Sequence, residues 1–368
     1  MAGEVHAARI AAMRARMQMK RLAAWILVPG PNMRYFTGWD AHGSERVLMA
    51  VYPLEGDPFL VTPAFEAERA REATGIAKAY SWRDESGPGA AMARAFAPFG
   101  TTRPRFGGEH LAMRLLERAA VDAVCPRADW EDIGPDVAAL RMVKDTEEIA
   151  AMERAVAIAE RALEAGRPLI APGRSEREVQ RAILRSLMEQ DSQSGFGVMV
   201  ASGPRSAIPH SGSSDRVMEN GDLVWIDMGA SYQSYQADIT RTFCAGRPPE
   251  ALQRAYRTVL EAQQAAREGG RPGMTCESVD RLARQVIAGA GLGEYFTHRT
   301  GHGLGLEDHE APYIVDGNAE VLQPGMVYTV EPGVYIPGQG GIRIEDDVVV
   351  TSDGARSLTG FRRDWLGE

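Results

Sequence analysis

The sequence predicts an α/β domain over residues 1–140 followed by an α+β domain over residues 141–368. Three observations carry this expectation. In the front part, short β-prone runs alternate with helix-like runs, the pattern of a parallel or mixed sheet. In the back part, helices opened by capping boxes are interspersed with two pairs of apolar runs that read as hairpins. Finally, 368 residues are long for one domain, so two are the better expectation.

The first domain opens on a helix reaching about Lys20, followed by a strand over 22–28. Strands over 47–52 and 58–61 come next, split by Glu55-Gly56-Asp57. Residues 64–73 read as helix, and a Gly/Pro-containing stretch at 86–89 leads into a helix-like 90–96. Residues 105–108 are a short strand and turn, and 110–119 another helix. The boundary falls near 141–145, where Asp145-Thr146-Glu147-Glu148 is a capping-box pattern. Behind it, Ile149, Met152, Val156, Ile158 and Leu163 recur close to the helical period as far as residue 165. After Pro172-Gly173, a second capping box, Ser175-Glu176-Arg177-Glu178, opens a helix to about Glu189, and a third helix runs from about Ser278 to Ala290.

Between and after these helices lie the two hairpins. Residues 223–230 are an apolar, β-prone run interrupted by one charge, Asp227; residues 236–243 form its partner, with Asp238 near the start. A turn centred between Tyr232 and Gln233 places Asp227 opposite Asp238, on one face of the sheet. A buried charge without a partner is expensive, so Asp227 reads as a ligand. Asp238 has a rival reading, capping a turn or pairing with Arg241. In the second hairpin a centre near Gly338 puts Glu331 opposite Glu345. Glutamate is depleted in strands, so two on facing positions call for an explanation.

The stretch from Thr297 to Glu310 holds three of the seven histidines, His298, His302 and His309, with glycines on both sides of His302. Glycine lets backbone and ligand approach closely. Four carboxylates and an imidazole suit Mn²⁺, Co²⁺, Fe²⁺ or Zn²⁺ rather than a thiolate site. They carry more negative charge than one divalent ion offsets, which points to two ions bridged by water.

With these segments in view, the chain resembles the pita-bread metallopeptidases: methionine aminopeptidase, aminopeptidase P and prolidase. The matching segments are Trp225–Gly229, Ala237–Thr242, Gly301–Gly303, Glu331–Gly333 and Arg343–Asp346. The resemblance implies two divalent metal ions (Mn, Co or Zn) held by Asp227, Asp238, His302, Glu331 and Glu345. Asp227 would hold one ion and His302 the other, Asp238 and Glu345 would bridge, and Glu331 would act as general base. Ile208-Pro209-His210 and the flanking His298 and His309 match the substrate-side histidines of the proline-specific branch, and Arg343 an arginine that orients a ligand carboxylate. Residues 32–38, Glu45-Arg46 and 60–63 match the creatinase/prolidase-like amino domain. The implied protein is a homodimer with a pita-bread catalytic domain, hydrolysing the bond before proline in small peptides, foremost Xaa-Pro dipeptides. Some prolidases carry arginine at the place of Tyr313, so the choice between dipeptides and longer chains stays open.

Other readings stand beside this one. His210 reads equally as a solvated loop histidine, His298 as a strand cap, His309 as the partner of Glu310, and Arg343 as a structural ion pair with Glu345. Arg299, Glu307 and Glu310 read as ordinary surface or supporting charges. A metal-dependent hydrolase or lyase of non-peptides, or a non-catalytic binding module, could use the same scaffold; the complete ligand set disfavours the latter. The net charge of −9 argues against non-specific nucleic-acid binding. Cys125, Cys244 and Cys276 offer neither a disulfide framework nor a zinc spacing. The amino end lacks the apolar core of a signal peptide, and no run approaches the ~18 apolar residues of a membrane helix. The expectation is a cytoplasmic protein without a membrane partner.

Overall fold

A computed structural model describes the chain from Ala2 to Trp365, with side chains from Val5 onward. It forms two compact units that divide between Arg141 and Met142. The first contains α1 (Ala2–Lys20), β1 (Ala24–Leu27), α2 (Pro31–Thr37), β2 (Met49–Pro53), β3 (Phe59–Pro63), α3 (Ala67–Thr74), β4 (Lys78–Trp82), α4 (Gly89–Phe96), β5 (Arg105–Gly108), α5 (Leu115–Val124), β6 (Asp129–Asp132) and α6 (Gly134–Arg141). Its six strands form a mixed sheet in the order β4-β3-β2-β1-β5-β6. Strand β2 runs antiparallel to β1 and β3, and the remaining neighbours are parallel. The α/β expectation holds. The helix expected over 110–119 starts later, at Leu115, because the segment before it is tied down as a turn. There the backbone of His110 donates to Asp132, and Glu109 accepts from Val28 and Asn32.

In the second unit Asp145 caps α7 (Thr146–Gly166) by accepting from the backbones of Glu147 and Glu148, while Glu148 accepts in return. Ser175 does the same for α8 (Glu176–Glu189). Then come β7 (Val198–Ser202), β8 (Asp222–Tyr232), β9 (Tyr235–Ala245), α9 (Glu250–Gly269), α10 (Cys276–Gly289), β10 (Gly301–Gly303), β11 (Glu310–Ile314), β12 (Val327–Val330), β13 (Gly333–Ile336), β14 (Gly340–Arg343), β15 (Asp346–Val350) and β16 (Ala355–Ser357). Helix α9 has no counterpart among the expected elements. Its signal was in the sequence: Leu252, Ala255, Tyr256, Val259, Ala262, Gln263 and Ala266 fall on one buried face at helical spacing.

Helices α7 and α8 pack on the sheet β7-β8-β9 around Val156, Leu163, Ile183, Val200 and Ile226. Helices α9 and α10 pack around Tyr256, Val259, Val279, Val334 and Ile342. Each hairpin therefore has one face in a hydrophobic core. The other face is left for polar side chains. This is the expected α+β plan.

The register of the first hairpin corrects the sequence reading. Asp227 lies opposite Thr240 and Asp238 opposite Gly229, two residues off the expected pairing. The turn is Gln233-Ser234, both at positive φ (50° and 66°), the geometry of a two-residue hairpin loop. Its residues are not the usual Asn-Gly or Asp-Gly. A two-residue slip keeps the strand's inward set inward, since side chains alternate with period 2. Asp227 and Asp238 thus still share a face, as diagonal neighbours.

The second hairpin keeps the expected register, with Gly333 opposite Arg343 and Val330 opposite Asp346. The ladder breaks at Glu331-Pro332 and Ile344-Glu345, and the two sides belong to different sheets. At the break the N–H of Glu331 donates to the Thr300 carbonyl (2.8 Å) and that of Glu345 to the Thr240 carbonyl (3.0 Å). The two glutamates are thereby turned towards the strands that carry His302 and Asp238.

Candidate metal centre

The site grows out of that break. Asp227, Asp238, His302, Glu331 and Glu345 line one cleft of about 450 Å³, together with His210, His298, Arg299, His309 and Arg343. Every site residue singled out in the sequence is in it. Phe196, Met199 and Pro209 add an apolar wall. His302 is 2 % exposed and is held between neighbouring strands. A Cβ on Gly301 would stand 1.8 Å from the Thr329 carbonyl oxygen, and one on Gly303 2.2 Å from that of Ala311. The flanking glycines therefore serve the close approach of adjacent backbones. The sequence reading had assigned them to the ligand.

His302 Nδ1 donates to the Gly303 carbonyl (3.0 Å). This leaves the lone pair on Nε2, which stands 3.4 Å from Glu331 Oε1 and 3.8 Å from Asp238 Oδ2. Burial, and then His309, push the imidazole down to about 3, so it is neutral. Three overlapping sets of donor atoms come together among the described residues: Asp227, Asp238 and Glu345; His302, Glu331 and Glu345; and Asp238, His302 and His309. Within each set the atoms lie within 4.8 Å of one another.

The carboxylates are strained by this company. Burial, and then the charge of neighbouring carboxylates, push Asp238 and Glu345 well above the usual range. Burial raises Glu331 to about 7, against the opposing pull of Arg343. Asp238 Oδ1 and Glu345 Oε1 are buried with no hydrogen-bond partner. Their other partners are fixed: the Asp238 N–H donates to Asp347 (3.1 Å), and the Thr240 hydroxyl to Glu345 Oε2 (2.6 Å). Buried acceptors without donors, beside a neutral imidazole lone pair, are the donor set of a divalent-cation site.

The surrounding side chains form a second ring. Arg343 pairs with Asp227, against the reading that made Glu345 its partner, because Asp227 faces it across the site. It also donates to Tyr335 (2.6 Å) and to Thr240 (3.2 Å), and lies over the Trp225 ring. His298 Nδ1 donates to the Arg299 carbonyl (2.7 Å), so its Nε2 accepts from the Tyr335 hydroxyl (2.9 Å). Burial, then Arg343, lower His298 to about 4. The His309 ring stands 3.8 Å from that of His302. Arg299 donates to its Nδ1 (3.1 Å), which leaves the ring proton on Nε2. His210 is exposed on the loop after Pro209.

Some sequence readings change. Glu310 is buried and pairs with buried Lys144 (2.7 Å) rather than with His309. Arg241 pairs with buried Asp346 (2.7 Å) rather than with Asp238. Tyr335, Thr240 and Asp347 were not singled out, since strand tyrosines, threonines and aspartates carry no local signal of such a role. Arg299, read as an ordinary charge, lines the cleft.

The comparisons with known proteins agree with this geometry. Residues 150–352 match metallopeptidase family M24, and residues 9–143 match the creatinase/prolidase N-terminal domain. The chain is 38 % identical over 364 residues to the probable dipeptidase PepE of Mycobacterium tuberculosis, covering 96 % of this chain and 94 % of that one. It is 45 % identical over 240 residues to the Xaa-Pro dipeptidase of Pyrococcus furiosus, covering 65 % and 69 %. The crystal structure of the Thermococcus sibiricus prolidase superposes with a TM-score of 0.90 at 33 % identity, over 97 % of both chains. The chain belongs to the M24 metallopeptidases, enzymes that work with divalent metal ions, and has their pita-bread catalytic fold behind a creatinase-type amino domain.

Proposed function

We propose that this enzyme is a Xaa-Pro dipeptidase that hydrolyses the bond before proline in dipeptides. One observation carries the reading most directly: two carboxylate-rich donor sets share Glu345 in a single cleft ringed by three histidines and Arg343. The relatives named dipeptidase and prolidase support the substrate class. Two divalent ions, Mn, Co or Zn, would be held by Asp227, Asp238, His302, Glu331 and Glu345. When bound, they polarise the scissile carbonyl and lower the pKa of the attacking water.

The remaining work falls to the chain. Glu331, beside His302 in the donor set, takes a proton from water and passes it to the departing proline nitrogen. That nitrogen carries no hydrogen in the substrate, so recognition relies on a shaped pocket. The Nε2–H of His309 faces the developing oxyanion, and His210 contributes from the opposite loop. His298 holds the Tyr335 hydroxyl, and Arg343 orients Asp227. The same reading takes residues 1–140 and 141–368 as the two functional domains, in a cytoplasmic homodimer with a small peptide as its only partner. The net charge of −9 supports leaving nucleic acid aside.

The test is metal analysis together with kinetics on Xaa-Pro, Xaa-Ala and Xaa-Pro-Yaa peptides in Mn²⁺, Co²⁺ and Zn²⁺. Cleavage of Ala-Pro and Met-Pro with little action on Xaa-Ala is expected. Faster cleavage of Xaa-Pro-Yaa would reassign the enzyme as an aminopeptidase P. No cleavage by the metal-loaded protein would mean a non-peptidase reaction.

A further inference from the structure

Arg241 does not line the cleft, and the mechanism makes no use of it. Its side chain is fully buried, and each of its five N–H donors is spent. Nη2 donates to the Asp346 carboxylate (2.7 Å), which offsets the charge. The other four bonds go to backbone carbonyls, in two pairs. One pair lies on the side of the metal centre: Nη1 donates to Thr240 (2.9 Å) and to Glu345. The other lies on residues 358–365: Nη2 donates to Phe361 (2.7 Å) and Nε to Arg362 (2.9 Å). That segment is a strap across the second unit. Glu160 of α7 accepts from the backbone N–H groups of Gly360 and Phe361 (2.5 and 2.7 Å). Arg363 donates to Asp346 (2.6 Å), and the Tyr256 hydroxyl of α9 donates to the Arg363 carbonyl (2.6 Å). The Trp365 ring packs on Phe243 and Phe361, with centroids 5.3 and 5.6 Å apart.

Glu345 needs such support. It sits at the break between β14 and β15, outside both ladders. Its N–H is tied to Thr240 and its carbonyl to Arg241, adjoining residues of β9. Its side chain is aimed from the same place, by the Thr240 hydroxyl on Oε2 (2.6 Å). A ligand carboxylate is only as well placed as the groups that orient it. We propose that Arg241 is the positioning residue of Glu345, and that the strap holds Arg241 in place and so sets how tightly the centre retains divalent cations. The proposal rests on the reading of Glu345 as a ligand shared by two donor sets. Without the strap, two N–H groups of a buried guanidinium lose their acceptors. The side chain then turns to water or to other carbonyls and releases the Glu345 backbone. Asp346 does not compensate, because Arg241, Gln263 and Arg363 already engage its carboxylate.

The experiment is calorimetric titration of the metal-stripped full chain with Mn²⁺, alongside the Mn²⁺ dependence of Ala-Pro cleavage. R241K keeps the charge beside Asp346 and gives up the planar fork. E160Q and W365A loosen the strap at residues that do not line the cleft. L187A, in the core beneath α7 and α8, controls for general loosening. R241K should weaken Mn²⁺ binding by about 10–100-fold, and E160Q and W365A by roughly 3–10-fold. In the two strap variants the Mn²⁺ concentration for half-maximal activity should rise, while kcat and KM at saturating Mn²⁺ are kept. L187A should lower Tm and leave Mn²⁺ affinity unchanged. Normal affinity in R241K, or in both strap variants, overturns the proposal, and so does an equal loss in L187A. If R241K does not fold, the two strap variants decide. E345Q separates this failure from that of the parent reading. If E345Q binds Mn²⁺ like the unchanged chain, Glu345 is no ligand, and both fall. If E345Q loses affinity and the R241K and strap variants do not, the proposal alone falls.

Discussion

Removing the metals should expose the mutual repulsion of the site carboxylates as a dependence of stability on pH. The sign follows from which state binds the proton more tightly. Asp238, Glu331 and Glu345 have folded-state pKa values above their unfolded ones. Their contribution is fully present below the unfolded values and is lost as pH rises through the folded ones. His302 and His298, lowered to about 3 and about 4, act oppositely. They destabilise as pH falls below the ordinary histidine value, because the unfolded chain then binds protons that the folded chain refuses. Between pH 4 and 6.5 the two effects compete. Above about pH 6.5 the histidines contribute nothing further, and the carboxylates act alone. From pH 6.5 to 8.5, Glu331, at about 7, should cost about 1 kcal/mol. Each further carboxylate still holding its proton should add about 1.4 kcal/mol per pH unit. For a unit of this size, each kcal/mol is about 2–4 °C in Tm.

The assay is calorimetric melting of chelator-treated and metal-loaded protein across pH 5–8.5. The metal-free protein should lose at least several degrees between pH 6.5 and 8.5. The loaded protein should lose much less there, because the ions replace the protons. A metal-free Tm that keeps rising through pH 8, or a metal-induced gain independent of pH, would refute the assignment of these carboxylates to one shared cation site.

Three further outcomes are expected. Glu331→Gln should lower kcat by roughly 10²–10⁴-fold with little change in KM; near-normal kcat at unchanged metal content rules out its role as base. Gly301→Ala pushes a methyl into the Thr329 carbonyl, 1.8 Å away, so denaturation should register a loss of about 1–3 kcal/mol and metal content should fall. Retention of both would mean that the strands can separate without disturbing His302. Glu310→Gln leaves Lys144 buried and unpaired and should cost about 3–5 kcal/mol by urea denaturation. A loss below about 1 kcal/mol would show that Lys144 reaches water.

The parts of this protein that were legible in the sequence are those governed by local chemistry and by periodicity. The α7 and α8 capping boxes name their own partners three residues away. The apolar runs around Asp227 and Glu331 reveal strands whose charges need a reason. Period-2 alternation assigns Asp227 and Asp238 to one face whichever even register is chosen, which is why the wrong pairing still gave the right face. Register itself depends on the turn, and Gln233-Ser234 adopts left-handed φ angles without the residues that usually signal them. Helix α9 carries a legible signal in its buried stripe from Leu252 to Ala266.

Tertiary structure decided the rest. The second hairpin splits between two sheets only because Thr300 and Thr240, distant in the chain, offer carbonyls to Glu331 and Glu345. Arg343 chooses Asp227 over the nearer Glu345, Lys144 chooses Glu310, and Tyr335 enters the site between Arg343 and His298. Partner choice among buried charges depends on which groups meet after the strands have packed. Spacing along the chain cannot encode it, because the energy of each pair is set by distance and desolvation in the folded state.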